Sequence, residues 1–327
     1  VAFSPYDLAV YDAYAKMNDC GVFETLGSNY LNADLSQIFH DQAFSGKFIS
    51  DYLEPPQTQL PVWHLVGGLD ALDRDELDGK EPDDGYPITL EDWILNDGLK
   101  CLKIKLTGTN WDWDYDRIKK VFNIGNKFGV KYYSTDFNCT VEDTSYVNSM
   151  LDALQRELTD SYDRLLYVEQ PFPYDLEKYK IDVTSVARRK PIYLDESAHD
   201  WNYVKLGHSM GWNGVALKTC KTLTGALLSL CWAKNNNMEI MVQDLTNPML
   251  AQISHVLLAA HSGTIMGVES NSMQFYPEAS LQESSVHPGI YNRTNGILSL
   301  ESIGRTGFGY RVDEINRDLP DAVQVFN

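Results

Sequence analysis

The sequence predicts an α/β chain closed into a (β/α)8, TIM-like barrel, and three observations predict it. Short apolar segments alternate with helical patterns from about Leu60 onward, as repeated βα units do. Successive strand ends lie roughly 25 to 35 residues apart, the length of one βα unit in an eight-fold barrel. Carboxylates and lysines stand at the ends of neighbouring strands, where a parallel barrel collects its functional groups. No GxGxxG or Walker-type loop follows any strand, so a dinucleotide or P-loop fold has no support.

Taken in order, Tyr6 to Met17 reads as a helix with Leu8, Ala9, Tyr11, Ala13 and Tyr14 available for packing, and Pro55-Pro56 marks a boundary. Strands are expected at Leu60 to Val66, Leu102 to Leu106, Lys131 to Thr135, Leu165 to Glu169, Ile192 to Asp195, Gly214 to Lys218, Glu239 to Gln243 and Thr264 to Val268. They are short and continuously apolar, as strands buried on both faces should be. Helices are expected at Tyr115 to Phe128, Tyr146 to Leu158, Leu223 to Asn235 and Pro248 to Ala260. In the second of these Val147, Met150, Leu151, Leu154 and Leu158 recur at helical spacing. Gly296 to Tyr310 is Gly-rich and reads as a returning segment, not a further βα unit.

At 327 residues the chain is long enough for one large barrel or about two ordinary domains. A formal charge of −19 without any Lys/Arg-rich run argues against nucleic acid, because phosphate binding needs a positive footprint. No stretch of about 18 apolar residues occurs, and no basic region precedes an apolar run at the start. Neither a membrane span nor a signal peptide is therefore indicated, and a cytoplasmic protein is the expectation. The five cysteines are scattered without a C-x-x-C spacing, which suggests reduced, packed thiols. The sequons at Asn138 and Asn292 read as accidental.

The strand ends carry the chemistry. The second strand ends in Lys103-Ile104-Lys105, the third in Asp136-Phe137-Asn138, the fourth in Glu169-Gln170-Pro171, the fifth in Asp195-Glu196-Ser197 and the sixth in Lys218-Thr219-Cys220-Lys221. Any one of these motifs alone is more often a solvated strand end than a site. Jointly they put three carboxylates on adjacent strands, flanked by lysines. Three converging carboxylates repel one another unless a cation neutralises them, and hard oxygen ligands suit Mg²⁺, with Mn²⁺ as the alternative. Helix N-caps would explain Asp residues at βα turns, but not Glu169 followed by Gln-Pro. Such a cation can hold a substrate carboxylate and stabilise the enediolate formed when the α-carbon loses its proton. Lys105 and Lys218, on strands far apart round the ring, would approach that carbon from opposite sides as base and conjugate acid, their pKa values depressed by burial near the metal. Gln243, Asp244, Glu269 and Asn271, at the ends of the seventh and eighth strands, are substrate-contact candidates, although Asp244 could equally cap the next helix.

With these residues in the order described, the chain resembles the enolase superfamily, and within it the muconate-lactonizing-enzyme-like subgroup with its K-x-K lysine on the second strand and a lysine on the sixth. The likeness runs from about Tyr6 to Tyr310 and carries five motifs in order. It implies metal ligation by Asp136, Glu169 and Asp195, acid/base roles for Lys105 and Lys218, and support from Lys103, Asn138, Glu196 and Lys221. It implies a division into residues 1–58, a helical remnant of a capping domain; residues 59–300, the barrel; and residues 301–327, a segment packing back on the capping region. It also implies a homo-oligomer acting on a small carboxylate, with no nucleic-acid or membrane partner.

Two departures at the strand ends qualify the match. Thr222-Leu223-Thr224-Gly225 replaces the paired glycines common after the sixth-strand lysines, so the backbone there is expected to run differently. Glu269-Ser270-Asn271-Ser272 stands where dipeptide epimerases carry Asp-x-Asp, which disfavours a dipeptide substrate. The seventh strand ends in Gln243-Asp244 where the mandelate-racemase subgroup has a histidine, which favours the lysine-based subgroup. His255, His261 and His208 read as structural or surface residues, and His199 is the histidine to watch. Trp111, Trp113 and Tyr115 read as packing residues near the second strand. The expected reaction is racemisation, epimerisation or cycloisomerisation. Dehydration of the succinylbenzoate-synthase or acid-sugar type shares the same enediolate, and a barrel that has lost catalysis and serves as a binding protein is the alternative of another class.

Overall fold

The computed structural model describes residues 2–317. Eight parallel strands form the barrel wall: β1 (Gln59–Val66), β2 (Cys101–Lys105), β3 (Tyr132–Asp136), β4 (Leu165–Glu169), β5 (Ile192–Leu194), β6 (Gly214–Leu217), β7 (Glu239–Val242) and β8 (Val268–Glu269). Their hydrogen-bonded order is β7-β6-β5-β4-β3-β2-β1-β8. Where β7 meets β8, the Ile265 N–H donates to the Ile240 carbonyl at 2.8 Å and closes the ring. A ninth strand, β9 (Ile297–Ser299), runs antiparallel to the start of β1.

Seven strands lie within a residue or two of the expected positions, and β8 does not. Residues 264–267 form a turn, because Gly267 takes φ +54° with its α-carbon pressed against the Pro61 carbonyl. A Cβ there would lie 1.8 Å from that oxygen, so only glycine fits and the strand begins at Val268.

Helices cover the outer face, and local capping explains where they start. The helix Trp111–Phe128 begins four residues before the expected Tyr115, because the Asn110 side chain accepts from the Trp113 N–H at 3.2 Å. It buries Ile118, Val121, Phe122 and Gly125 at helical spacing and stops at Gly129, φ +77°. Asp143 and Asp200 cap the helices Thr144–Glu157 and Trp201–Ser209 in the same way. Because these neighbours do the capping, the acids at the strand ends are free for other work.

Inside the barrel Trp63, Cys101, Tyr167, Tyr193 and Met241 fill the lower layers. Tyr167 and Tyr193 stack with centroids 4.3 Å apart, and the Trp63 indole N–H donates to the Met266 carbonyl at 2.7 Å. Each such ring contributes roughly 2 to 3 kcal/mol by burial. Gly214 makes room for one of them, since a Cβ at that position would meet the Tyr193 ring at 2.1 Å. This plug is the floor on which the upper layer of charged side chains rests.

The amino-terminal helix Ser4–Met17 lies beside the end of β6: the Ser4 hydroxyl donates to the Thr219 carbonyl at 2.6 Å and the Thr224 hydroxyl to Asp7 Oδ1 at 2.6 Å. Beyond β9 the chain reaches the amino-terminal region, where the Val22 N–H donates to the Gly307 carbonyl at 3.0 Å and the Phe308 N–H to Asp12 Oδ1 at 2.8 Å. The last part of the expected carboxyl-terminal segment, residues 318–327, and residue 1 of the expected amino-terminal region lie outside the described residues. Among the described residues no helix is long and apolar enough to cross a membrane.

Candidate active site

Strand register brings the charged residues to one interior surface. Lys105 is opposite Asp136, Asp136 opposite Glu169, and Glu169 opposite Tyr193, two residues before Asp195. Tyr193 in turn is opposite Gly214, four residues before Lys218. Side chains alternate along a strand, so Lys103, Lys105, Asp136, Glu169, Asp195 and Lys218 all point inward at the carboxyl end of the barrel.

Each of the three carboxylates is matched to an ammonium. In the middle, Lys103 Nζ donates to Glu169 Oε1 at 2.6 Å and to Glu269 Oε2 at 2.9 Å, and lies 3.2 Å from Asp136 Oδ2. At one side Lys105 Nζ donates to Asp136 Oδ2. At the other, Lys218 Nζ donates to Asp195 Oδ2 at 2.7 Å, while Lys221 Nζ bonds the backbone carbonyls of Asp195 and Ala198 and lies 3.5 Å from Asp195 Oδ1. Lys103 is fully buried and Lys218 nearly so, whereas the Lys105 side chain keeps 25% of its exposure and reaches the mouth.

The electrostatics follow from this pairing. Burial works against ionising Asp136, but Lys103 and Lys105 outweigh it and draw its pKa down to about 2. Burial is likewise overridden at Asp195 by Lys218 and Lys221, leaving it below the usual carboxylate range. Burial pushes Glu169 well above that range; Lys103 pulls it back, and Asp136, Asp195 and Glu269 push it further. Burial, the largest single influence, would lower Lys103 and Lys218, yet the acids around them together outweigh it and raise both, Glu169, Glu269 and Asp136 at Lys103 and chiefly Asp195 at Lys218. The expected depression of Lys218 is therefore not what this ion-paired arrangement produces.

The remaining candidates buttress this layer. Asn138 donates its backbone N–H to Asp136 Oδ1 at 2.9 Å and its amide to Glu196 Oε1 at 3.0 Å, while Glu196 Oε2 is buried without a partner among the described residues. Gln243 donates to Glu169 and, at 3.3 Å, accepts from Lys103. Asn271 donates its amide to Glu269 Oε1 at 2.8 Å and its backbone N–H to Asp244 Oδ2 at 2.8 Å. The four substrate-contact candidates are thus buried and already occupied, Asp244, Glu269 and Asn271 with one another and Gln243 with Glu169 and Lys103. Asp244 caps no helix, since the next one, Leu250–Ser262, has Met249 at its N-cap.

His199 is exposed between Tyr174 and Tyr203, with edge-on ring centroids 6.1 and 5.2 Å away. His255 is buried in the helix Leu250–Ser262 and bonds the Glu269 carbonyl at 2.7 Å. Trp111 stacks on Tyr115 with centroids 5.2 Å apart, and Arg117 lies over Trp113 at 5.8 Å, so that cluster belongs to the first turns of its helix.

Sequence reasoning passed over the residue that sets Asp195. Gln170 Oε1 accepts the backbone N–H groups of Asp195 at 2.8 Å and Ser197 at 3.1 Å, and its amide donates to Ser197 Oγ at 2.8 Å. The signal available was its place directly after Glu169. Backbone strain also gathers at the strand ends, with positive φ at Asn138, Cys139, Gln170 and Thr222. Thr222, where paired glycines were missed in the sequence, takes φ +76° and ψ 145°.

Among the described residues, no three acid, histidine or cysteine side chains have donor atoms gathered about one point as a bound metal requires, the carboxylates being turned onto ammonium groups instead. The donor chemistry still suits a hard divalent cation: three buried carboxylates share one face of adjacent strands, and the middle one is driven toward protonation by burial and then by the neighbouring acids.

No protein-family model matches the chain, and no curated protein matches it by sequence. Its structural neighbours are mandelate racemase/muconate lactonizing enzyme-like proteins and other enolase-superfamily members. One, a mandelate racemase/muconate lactonizing protein from Herpetosiphon aurantiacus, is 21% identical with a TM-score of 0.54; the alignment covers 67% of this chain and 58% of that one. A dipeptide epimerase from Enterococcus faecalis V583, complexed with Mg and a dipeptide, is 19% identical with a TM-score of 0.61, covering 93% of this chain and 70% of its own. An N-succinyl Arg/Lys racemase from Bacillus cereus ATCC 14579 is 16% identical with a TM-score of 0.65, covering 94% and 69%. The likeness establishes the shared capped-barrel fold.

Proposed function

We propose that this chain is an enzyme that removes the proton next to the carboxylate of a small acid, with Asp136, Glu169 and Asp195 as the ligands of one Mg²⁺ ion and Lys105 and Lys218 as the acid/base pair. The observation that carries the reading is the bracket formed by the two lysines: Lys105 bonds the first carboxylate of the row and Lys218 the last, both from the inner face at the barrel mouth. Bound there, Mg²⁺ would supply positive charge against the substrate carboxylate as the α-carbon becomes electron-rich.

Proton transfer is the work of the chain's own residues. A lysine acts as a base only when neutral, and Asp195 holds Lys218 in its charged form. Lys218 therefore becomes competent when Asp195 turns its carboxylate to another partner. Lys103, held by three carboxylates, keeps its proton and serves as a fixed positive charge. With amines on both sides of one carbon, the proton is taken from one face and returned to the other, which inverts the centre. Racemisation or epimerisation follows, and cycloisomerisation uses the same proton transfer.

The test is α-proton exchange in deuterated water, followed by NMR over a panel of small carboxylic acids with Mg²⁺ present. Exchange is expected in the wild type, with loss on chelation and a drop of about 10² to 10⁴-fold in Lys105→Ala and in Lys218→Ala. Release of water along with exchange would move the reaction to β-elimination. No exchange with any acid of the panel would overturn the enzyme reading in favour of a binding protein.

A further inference from the structure

A cavity of about 330 Å³ lies outside the barrel, between the loop that follows β1 and the loop that follows β8. His64 and Trp93 line it on the protein side, Tyr86 and Phe275 form aromatic walls, and Asp70 and Asp84 stand toward solvent. His64 belongs to the outward face of β1: its neighbour Leu65 is opposite Lys103, whose ammonium lies inside the barrel. The cavity is therefore separated by the strand itself from the row of carboxylates.

His64 is 1% exposed and its ring is fixed from behind. The buried Arg293 donates Nε to Asp97 Oδ2 at 2.5 Å, and its Nη1 lies 3.2 Å from His64 Nδ1. A guanidinium only donates, so Nδ1 accepts and the ring proton resides on Nε2. Burial, and then the Arg293 charge, hold this imidazole well below its usual pKa and hence neutral. Among the described residues Nε2 makes no hydrogen bond, and His64 lines the cavity, so its ring N–H is available to a ligand there.

The solvent end has the opposite character. Asp70 Oδ2 accepts from the Gly67 N–H at 2.7 Å and Asp84 Oδ1 from the Tyr86 N–H at 3.1 Å, leaving one oxygen of each unpaired among the described residues. No lysine or arginine lines the cavity. An anion would be repelled there, and a chain of net charge −19 adds to that. Aromatic rings beside carboxylates favour an ammonium.

We propose that this cavity is a second ligand site, taking a small aromatic amine that carries an oxygen at the far end of its ring. The oxygen accepts from His64 Nε2, the ring lies among Trp93, Tyr86 and Phe275, and the ammonium sits between Asp70 and Asp84.

Calorimetric titration of the full chain with tyramine, phenethylamine and 4-ethylphenol tests this. Tyramine is expected to bind saturably and at least tenfold tighter than phenethylamine, which lacks the oxygen, or 4-ethylphenol, which lacks the amine. His64→Phe should abolish the preference over phenethylamine. Asp84→Asn, an exposed change that leaves the core alone, should abolish the preference over 4-ethylphenol. Binding should persist in Lys105→Ala, which separates this site from the barrel mouth. The proposal is overturned if tyramine does not bind, if Asp84→Asn keeps its preference for the amine, or if Lys105→Ala loses binding.

Discussion

Among the lysines of the barrel mouth, partners and exposure decide what each can do. Lys103 is buried and shared by Glu169, Glu269 and Asp136, so removing its charge strands three acids. Lys103→Met is expected to destabilise the fold by about 3 to 5 kcal/mol at pH 8, and by less at pH 5, where Glu169 can take up a proton instead. Lys105→Met, at a partly exposed site, should cost less than about 1 kcal/mol; urea unfolding at the two pH values checks both, and equal costs for the two lysines would contradict this ranking. A second residue-scale effect sits at Thr222, whose φ of +76° and ψ of 145° belong to a region that only glycine occupies freely. Thr222→Gly relieves about 1 to 3 kcal/mol of strain, gives back up to about 1 kcal/mol in unfolded-chain entropy and loses a few tenths with the cap hydroxyl. A net gain of about 0.5 to 1 kcal/mol in urea melts is the expected result, and a loss would mean the strain is illusory.

The contact between the amino-terminal segment and the helix Leu250–Ser262 depends on an imidazole, at the scale of whole elements. His261, near the end of that helix, stacks on Phe23 with centroids 4.1 Å apart, and its carbonyl accepts from the Glu54 N–H at 2.8 Å. Burial lowers its pKa to about 4, despite opposing contributions from the Glu54 backbone and Glu24. The unfolded chain takes up this proton near pH 6.5 and the folded chain only near 4, so this contribution to stability is lost as pH falls through that window. His261→Phe keeps the stack and removes the proton. Its Tm should fall less than that of the wild type between pH 6.5 and 4.5, in differential scanning calorimetry; parallel curves would show that the imidazole does not titrate on unfolding.

Over the whole molecule, stability is uneven round the ring. Strands β2, β3 and β4 are joined by ladders of several residues, while β7 and the β8 region are joined through the Ile265 to Ile240 bond. Native-state hydrogen exchange should find the Ile265 amide opening at lower free energy than those of Ile104, Thr135 or Val168 in the continuous part of the sheet. Protection at Ile265 equal to theirs would show a barrel closed uniformly. The seam lies between the two strands that carry Gln243 and Glu269, the partners of Lys103, so its opening would loosen the middle of the charged row.

The barrel, seven of its eight strand positions and the membership of its charged row are properties of sequence alone, because an alternating pattern of buried strands and amphipathic helices allows few other folds. Asp136, Glu169 and Asp195 were recognisable by their place at strand ends, and parity along a strand then required them to face inward with Lys103, Lys105 and Lys218. What each charge does to its neighbour was decided only in three dimensions. Which lysine meets which carboxylate, and so which pKa rises, depends on distances across the barrel that no spacing along the chain encodes. Gln243, Asp244, Glu269 and Asn271 look like groups awaiting a substrate until packing shows Asn271 bonded to Asp244 and Glu269, and Gln243 to Glu169 and Lys103. The outward pairing of His64 with Arg293 joins residues more than two hundred positions apart, and only tertiary contact could reveal it.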